Sequence, residues 1–152
     1  MKAITIWEPW ATLIALGYKR VETRSWSTTW RGEIAIHAAR TMKHCSFYNV
    51  NELCRRAGIS DEERDHLVLS VRPGHVVAVA SLVDVWTTEK VIAYDLISDR
   101  ERALGDYGPN RYSWKIEDVR RIPRPFSAIG RQQIWNLSED ESERVRAQLR
   151  GE

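Results

Sequence analysis

The sequence predicts an α+β fold in which short helices surround a sheet. Residues 76–85 are apolar on both faces, as in a central strand. Residues 112–117 alternate large apolar and polar side chains, which is typical of a half-buried strand. A capping-box pattern, serine followed three residues later by glutamate, predicts three helix starts, at Ser60, Ser98 and Ser138.

The N-terminal segment is predicted to be a strand followed by a helix. Residues 2–7 have strand character, and Pro9 can open a helix because its missing N–H is not needed in the first turn. Gly17 is expected to end this helix. Trp10 and Leu13 lie on its apolar stripe, so we expect both side chains in the core.

Residues 17–26 place charged and aromatic side chains next to one another. Read as a strand, the alternation puts Glu22, Arg24 and Trp26 on one face, with Lys19 at the strand mouth. A lysine beside a carboxylate has a lowered or a raised pKa, depending on whether desolvation or the opposite charge dominates. The plain alternative is an exposed strand edge with ion pairs worth about 0–1 kcal/mol each.

Three further segments leave a functional role open. His37 follows an apolar strand and is either hydrogen-bonded near the core or part of a pocket. The dense basic patch from Arg120 to Arg131 is either a solvated loop or a phosphate contact. The turn-rich loop at residues 105–110 carries Tyr107 and could lie over the mouth of the sheet.

The remaining segments complete one predicted domain, residues 1–152. Residues 41–72 read as a helical insertion without a chemical motif, residues 132–137 as a last strand that closes the sheet, and residues 138–150 as a C-terminal helix. The histidines and cysteines lack a metal-ligand spacing, so we expect no metal and no cofactor.

Composition narrows the function classes. No apolar run approaches the roughly 20 residues that span a bilayer, and no leader-like run opens the sequence, so we expect a cytoplasmic protein with no membrane partner. A net charge of +2 and a pI near 8.6 permit nucleic-acid binding without demanding it. Seven tryptophans leave one or two available to stack on a base.

The motif Gly17-x-Lys19-x-x-Glu22-x-Arg24 resembles the signature of the ASCH domain family. It is preceded by Trp7-Glu8-Pro9-Trp10-Ala11 and followed by Trp30-Arg31-Gly32, and the resemblance continues more loosely as far as Trp135. It implies a small mixed β-barrel of PUA-like type.

The resemblance implies two functions for the same cleft. As a binding module, the cleft would take RNA, single-stranded nucleic acid or a nucleoside-like small molecule. Phosphates would then meet Lys19, Arg24 and Arg31, and a base would stack on an aromatic side chain. The candidates for that stacking role are Trp7, Trp26 and Tyr107.

The alternative is a metal-independent hydrolase. Some ASCH proteins resemble amidohydrolases that deacylate cytidine with a lysine, a threonine and a glutamate, and others are described as ribonucleases. Lys19 matches the lysine, but Glu22 stands where the threonine is expected, and Glu89 or Asp95 would only be guesses for the third group. Glu22 could act as a base beside Lys19, so these two are the catalytic candidates. A pure protein-interaction domain ranks last, because it leaves the Lys19–Glu22–Arg24 cluster without a role, and no protein partner is implied.

Overall fold

The structure, a computed structural model, describes residues 1–151, which contain six strands and six helices. In chain order these are β1 (Lys2–Ile6), α1 (Trp10–Ala15), β2 (Val21–Arg24), β3 (Gly32–Ala38), α2 (Phe47–Ala57), α3 (Asp61–Ser70), β4 (His75–Thr87), α4 (Thr88–Ala93), α5 (Asp99–Leu104), β5 (Tyr112–Ser127), β6 (Ile134–Asn136) and α6 (Glu139–Arg150).

The six strands form one mixed sheet that curls into a half-barrel, in the order β2-β5-β4-β3-β1-β6. β1 pairs with β3 in parallel, and the other neighbours are antiparallel. The predicted α+β class is therefore confirmed. β4 lies between two partners, as its apolar sequence predicts. β6 pairs with β1 and is an edge strand of the sheet. The sequence predicted instead that this strand closes the sheet.

Helix α1 links two apolar cores because its neighbouring side chains point in different directions. Ile14 packs inside the half-barrel with strand residues such as Ile36 and Trp114. Leu13 instead joins the cluster made with α2, α3 and α5, where Leu67 is also fully buried. The helical insertion, α2 and α3, therefore packs on the side of α1 that faces away from the sheet.

Two expectations need correction. Trp10 is only partly buried, because α1 begins at this residue and one side of the ring remains beside a cleft. The basic residues up to Arg124 lie on β5, which continues to Ser127, and not in a loop. Pro123 and Pro125 are tolerated there because this part of β5 falls within a shift in its register with β4, where regular ladder hydrogen bonds are not required.

Helix ends follow the serine patterns with one exception. Ser60 and Ser138 form complete capping boxes. Ser98 accepts a hydrogen bond from the backbone N–H of Glu101, but the Glu101 carboxylate points elsewhere. Within residues 1–151, no helix is long and apolar enough to cross a membrane, and no group of His, Cys, Asp and Glu side chains could hold a metal ion.

Candidate functional site

A cleft of about 540 Å³ opens between β2, the end of β1, α2 and the segment after α5. Its aromatic side chains are Trp7, Trp10 and Trp26, and its charged side chains are Glu22, Arg24, Arg56, Asp106 and Arg111. Trp7 is 48% exposed, although Lys43 lies 4.1 Å from its ring centroid. Trp26 is fixed by an edge-on contact with Trp114, with 4.8 Å between ring centroids. The cleft thus joins aromatic surface to three guanidinium groups.

Arg24 reaches across from β2 to the end of β1. Its Nη2 donates to the carbonyl oxygen of Thr5 at 2.7 Å and lies 3.6 Å from Oε2 of Glu22. Its Nε is buried and has no hydrogen-bond partner within residues 1–151. A buried N–H without a partner is costly, so Arg24 retains an unused donor in the wall of the cleft.

Glu22 lies at the boundary between the cleft and the half-barrel. Only 8% of the residue is exposed, and its Oε1 accepts a hydrogen bond from the backbone N–H of Thr23 at 3.0 Å. The same oxygen is 3.8 Å from Nζ of Lys19. Glu22 therefore stands between two cations, Lys19 behind it and Arg24 in front.

Lys19 is fully buried and does not line the cleft. Its Nζ donates to the carbonyl oxygens of Val21 at 2.6 Å and Leu104 at 3.2 Å. Desolvation lowers the pKa of Lys19, and the neighbouring carboxylates of Glu22 and Glu101 oppose that change. Lys19 thus joins β2 to the end of α5 beneath the cleft wall.

Glu101 is the second carboxylate near Lys19, and the sequence predicted only a capping role for it. Its two oxygens accept hydrogen bonds from the backbone N–H groups of Arg20 at 2.5 Å and Val21 at 3.3 Å. Burial raises the pKa of Glu101, while these hydrogen bonds and Lys19 lower it. Helix α5 is therefore held against the start of β2 by the side chains of Glu101 and Lys19.

A scan against protein-family models matches residues 4–126 to the ASCH domain. The chain belongs to the ASCH domain family. The fold agrees: the crystal structure of ASCH from Zymomonas mobilis has a TM-score of 0.60 at 17% identity, over 96% of this chain and 93% of that one. A mutant of the same Zymomonas mobilis protein gives a TM-score of 0.56 at 17% identity and covers 96% of both chains. No curated protein matches the sequence.

Within this ASCH domain, four of the seven predicted ligand-binding residues line the cleft: Trp7, Glu22, Arg24 and Trp26. Lys19 lies behind it. Arg31 lies elsewhere, where it donates to the carbonyl oxygens of Thr28 and Trp30 and pairs with Asp84 at 3.8 Å.

Tyr107 also lies outside the cleft. It packs against the small apolar cluster of Val21, Val91 and Ile97, and burial raises the pKa of its hydroxyl. Neither Glu89 nor Asp95, the guesses for a third catalytic group, lines the cleft.

Sequence reasoning missed three charged residues of the cleft: Arg56, Asp106 and Arg111. Arg56 comes from α2, in the insertion that carries no chemical motif, and its side chain is 57% exposed. Arg111 donates to the carbonyl oxygens of Asp106 and Thr23, at 3.1 and 3.3 Å. No local pattern marks these residues, because the fold alone brings distant segments beside the motif.

A larger groove of about 880 Å³ lies on another side of β2. It is lined by Trp86, Lys115, Glu117 and Asp118 among others, with Arg20 from the motif. None of Trp7, Glu22, Arg24 and Trp26 reaches it. We therefore assign the candidate site to the smaller cleft, where the motif side chains converge.

We expect Lys19→Met to lower the free energy of unfolding by about 3–5 kcal/mol, the usual range when one partner of a buried ion pair is removed. The change leaves Glu22 and Glu101 without their buried cation and leaves two carbonyl oxygens without a donor. Chemical denaturation of the single variants and of Lys19→Met/Glu22→Gln measures the coupling. The double variant should lose less than the sum of the two single changes, and strict additivity would contradict the assigned pairing.

Proposed function

We propose that the cleft binds one nucleotide of RNA or of another single-stranded nucleic acid. The observation that carries this proposal is the convergence of Trp7 and Trp26 with three arginines in a single cleft of about 540 Å³. That volume lies within the roughly 300–1,000 Å³ typical of small-ligand sites. Base stacking on aromatic rings and guanidinium contacts to phosphate are the usual means of binding single strands.

The charges of the cleft favour a phosphate over a cationic ligand. Three guanidinium groups face two carboxylates, and both carboxylates are already paired: Glu22 with Arg24, and Asp106 with Arg111 at 3.4 Å. Among residues 1–151, Nε of Arg24 has no hydrogen-bond partner, and the side chain of Arg56 is 57% exposed although its Nε lies 3.9 Å from Glu52. Guanidinium groups are well suited to phosphate because they donate in a planar fork.

Lys19 supports this function without touching the ligand. It is sealed by two carbonyl oxygens and by Glu22, so it orients Glu22, which in turn faces Arg24. In the hydrolase alternative, Glu22 would be the base at the cleft floor and Lys19 would stabilise the developing oxyanion. The burial of Lys19 speaks against that second role, since a group that stabilises the oxyanion has to reach it.

We expect Trp7→Ala to weaken binding of single-stranded RNA by about 1–3 kcal/mol, or roughly 5- to 150-fold, because one stacking surface is lost. Fluorescence anisotropy with a labelled oligonucleotide measures the affinity. Tyr94→Ala is the control, because Tyr94 is 71% exposed but lies outside the cleft. An equal loss in both variants, or none in Trp7→Ala, would contradict stacking in the cleft.

Arg56→Gln should make the affinity less dependent on salt. If Arg56 neutralises one phosphate, the log–log slope against salt concentration becomes shallower by about 0.7 for a single strand. Arg55→Gln is the matched control: Arg55 neighbours Arg56 on α2, both pair with Glu52, at 2.7 and 3.9 Å, and only Arg56 lines the cleft. A slope that changes in neither variant, or equally in both, would count against a phosphate contact at Arg56.

Glu22→Gln distinguishes binding from hydrolysis. We expect RNA affinity to stay equal or to rise slightly, because Arg24 loses its carboxylate partner, and we expect no turnover by the unmodified protein. Affinity is measured beside turnover of acylated cytidine and of RNA, on protein shown to be folded by circular dichroism. Robust turnover that falls by about 10²-fold or more in Glu22→Gln would instead establish the hydrolase.

A further inference from the structure

A second cavity, of about 590 Å³, meets the cleft at the end of β1. Thr5 lines both spaces, and its carbonyl oxygen is the group that holds Arg24 in the cleft. His37, Arg40 and Arg131 also line the second cavity. Thr5 therefore separates the two spaces, with its carbonyl oxygen on the cleft side and its hydroxyl on the side of the second cavity.

The floor of the cavity is polar, and its donors and acceptors are already matched. His37 Nε2 lies 2.9 Å from the carbonyl oxygen of Ala128, so Nε2 carries the hydrogen and Nδ1 accepts. Nδ1 lies 3.2 Å from Oγ1 of Thr5, whose hydroxyl donates to it and accepts from Nε1 of Trp135 at 3.1 Å. Burial lowers the pKa of His37, against the hydrogen bond to Ala128. The floor is thus neutral near pH 7.

The rim, in contrast, is positively charged. Arg40 and Arg131 are both exposed, and within residues 1–151 neither guanidinium forms a hydrogen bond or an ion pair. The lining contains neither Asp nor Glu, unlike the cleft with Glu22 and Asp106. Two unpaired guanidinium groups over a neutral floor favour an anion, and the fork geometry of arginine suits a phosphate.

Gly130 allows the segment that carries Arg131 to approach the floor closely. A Cβ at residue 130 would lie 2.7 Å from Cε1 of His37 and 2.9 Å from Oγ1 of Thr5. Only glycine therefore allows this segment to lie so close to the floor. The position of Arg131 over the cavity follows from that close packing.

We propose that this cavity binds the phosphodiester adjacent to the nucleotide held in the cleft, so that a single strand crosses the end of β1 between Arg24 and the pair Arg40 and Arg131. The proposal rests on the function proposed above and extends it from one nucleotide to two consecutive units. It assigns a role to Arg40 and Arg131, whose guanidinium groups form no hydrogen bond or ion pair within residues 1–151.

The test compares three ligands that share the phosphate group. A nucleoside 5′-monophosphate occupies the cleft alone, an RNA strand of about eight nucleotides, within the roughly 4–16 of single-strand binding folds, can occupy both sites, and inorganic phosphate reports on a free anion. Each is titrated into the unmodified protein, Arg40→Gln, Arg131→Gln and the control Arg146→Gln. Arg146 lies on α6 and pairs with Glu139 and Glu143, away from both cavities.

We expect Arg40→Gln and Arg131→Gln each to weaken binding of the oligonucleotide by about tenfold, as for loss of a charged hydrogen bond. Binding of the mononucleotide should stay unchanged, and the oligonucleotide's salt slope should become shallower by about 0.7 in each variant. Arg146→Gln should behave like the unmodified protein.

Other outcomes overturn the proposal in distinguishable ways. If the unmodified protein binds neither nucleotide ligand, the proposed function itself is wrong. If the mononucleotide and the oligonucleotide bind but Arg40→Gln and Arg131→Gln leave the oligonucleotide unaffected, only the second site is wrong. If inorganic phosphate binding depends on Arg131 while oligonucleotide binding does not, the cavity takes a free anion and no strand crosses β1.

Discussion

The architecture of the cleft depends on the burial of one cation, Lys19. A desolvated ammonium group is unfavourable unless its donors are paired and opposite charge lies nearby. Here Nζ donates to the carbonyl oxygens of Val21 and Leu104, and the carboxylates of Glu22 and Glu101 lie close by. These contacts join β2, α5 and the residues that follow α5 into one wall. The position of the cleft is thus set by an interaction that lies behind its surface.

This arrangement separates the positive charges of the ASCH motif by role. Lys19 supplies buried charge that orients Glu22, whereas Arg24 extends to the surface of the cleft with a donor left over. Glu22 connects the two, since it lies 3.8 Å from Lys19 and 3.6 Å from Arg24. In this motif, Lys19 therefore orients Glu22 and Glu22 orients Arg24, and the three side chains do not have equivalent positions in the cleft. A change at Lys19 would alter the candidate site through Glu22.

The sequence predicted the parts of the site that depend on local geometry. Strand alternation predicted Glu22 and Arg24 on a common side, and their side chains lie 3.6 Å apart, because a two-residue period holds in any regular strand. It could not place Lys19, whose burial requires α5, a helix that follows it by many residues. Arg56 and Arg111 were missed for the same reason: each reaches the cleft from a segment that carries no motif.

The fold was predicted better than the site, because apolar patterning reports burial directly. The alternation and the buried runs marked β4 and the start of β5, and the serine caps marked three helix starts. The extent of β5 was missed because Pro123 and Pro125 argue against a regular strand, and only a register shift admits them. Glu101 shows the limit of a capping pattern: the serine caps as predicted, while the glutamate binds the backbone of Arg20 and Val21.

Thr5, near the end of β1, borders both the cleft and the second cavity, and it contributes different atoms to each. The carbonyl oxygen of Thr5 accepts from Arg24, and its hydroxyl interacts with His37 and Trp135. The backbone of Thr5 thus positions Arg24, and its side chain contacts His37 and Trp135, without a carboxylate in either interaction. Because the parallel pairing of β1 with β3 sets Thr5 directly beside His37, the floor of the second cavity is defined by the sheet itself. In the site proposed above, the exposed side chains of Arg40 and Arg131 would lie over a floor that the sheet already holds in place, so the conformational entropy lost on binding would come mainly from these two arginines.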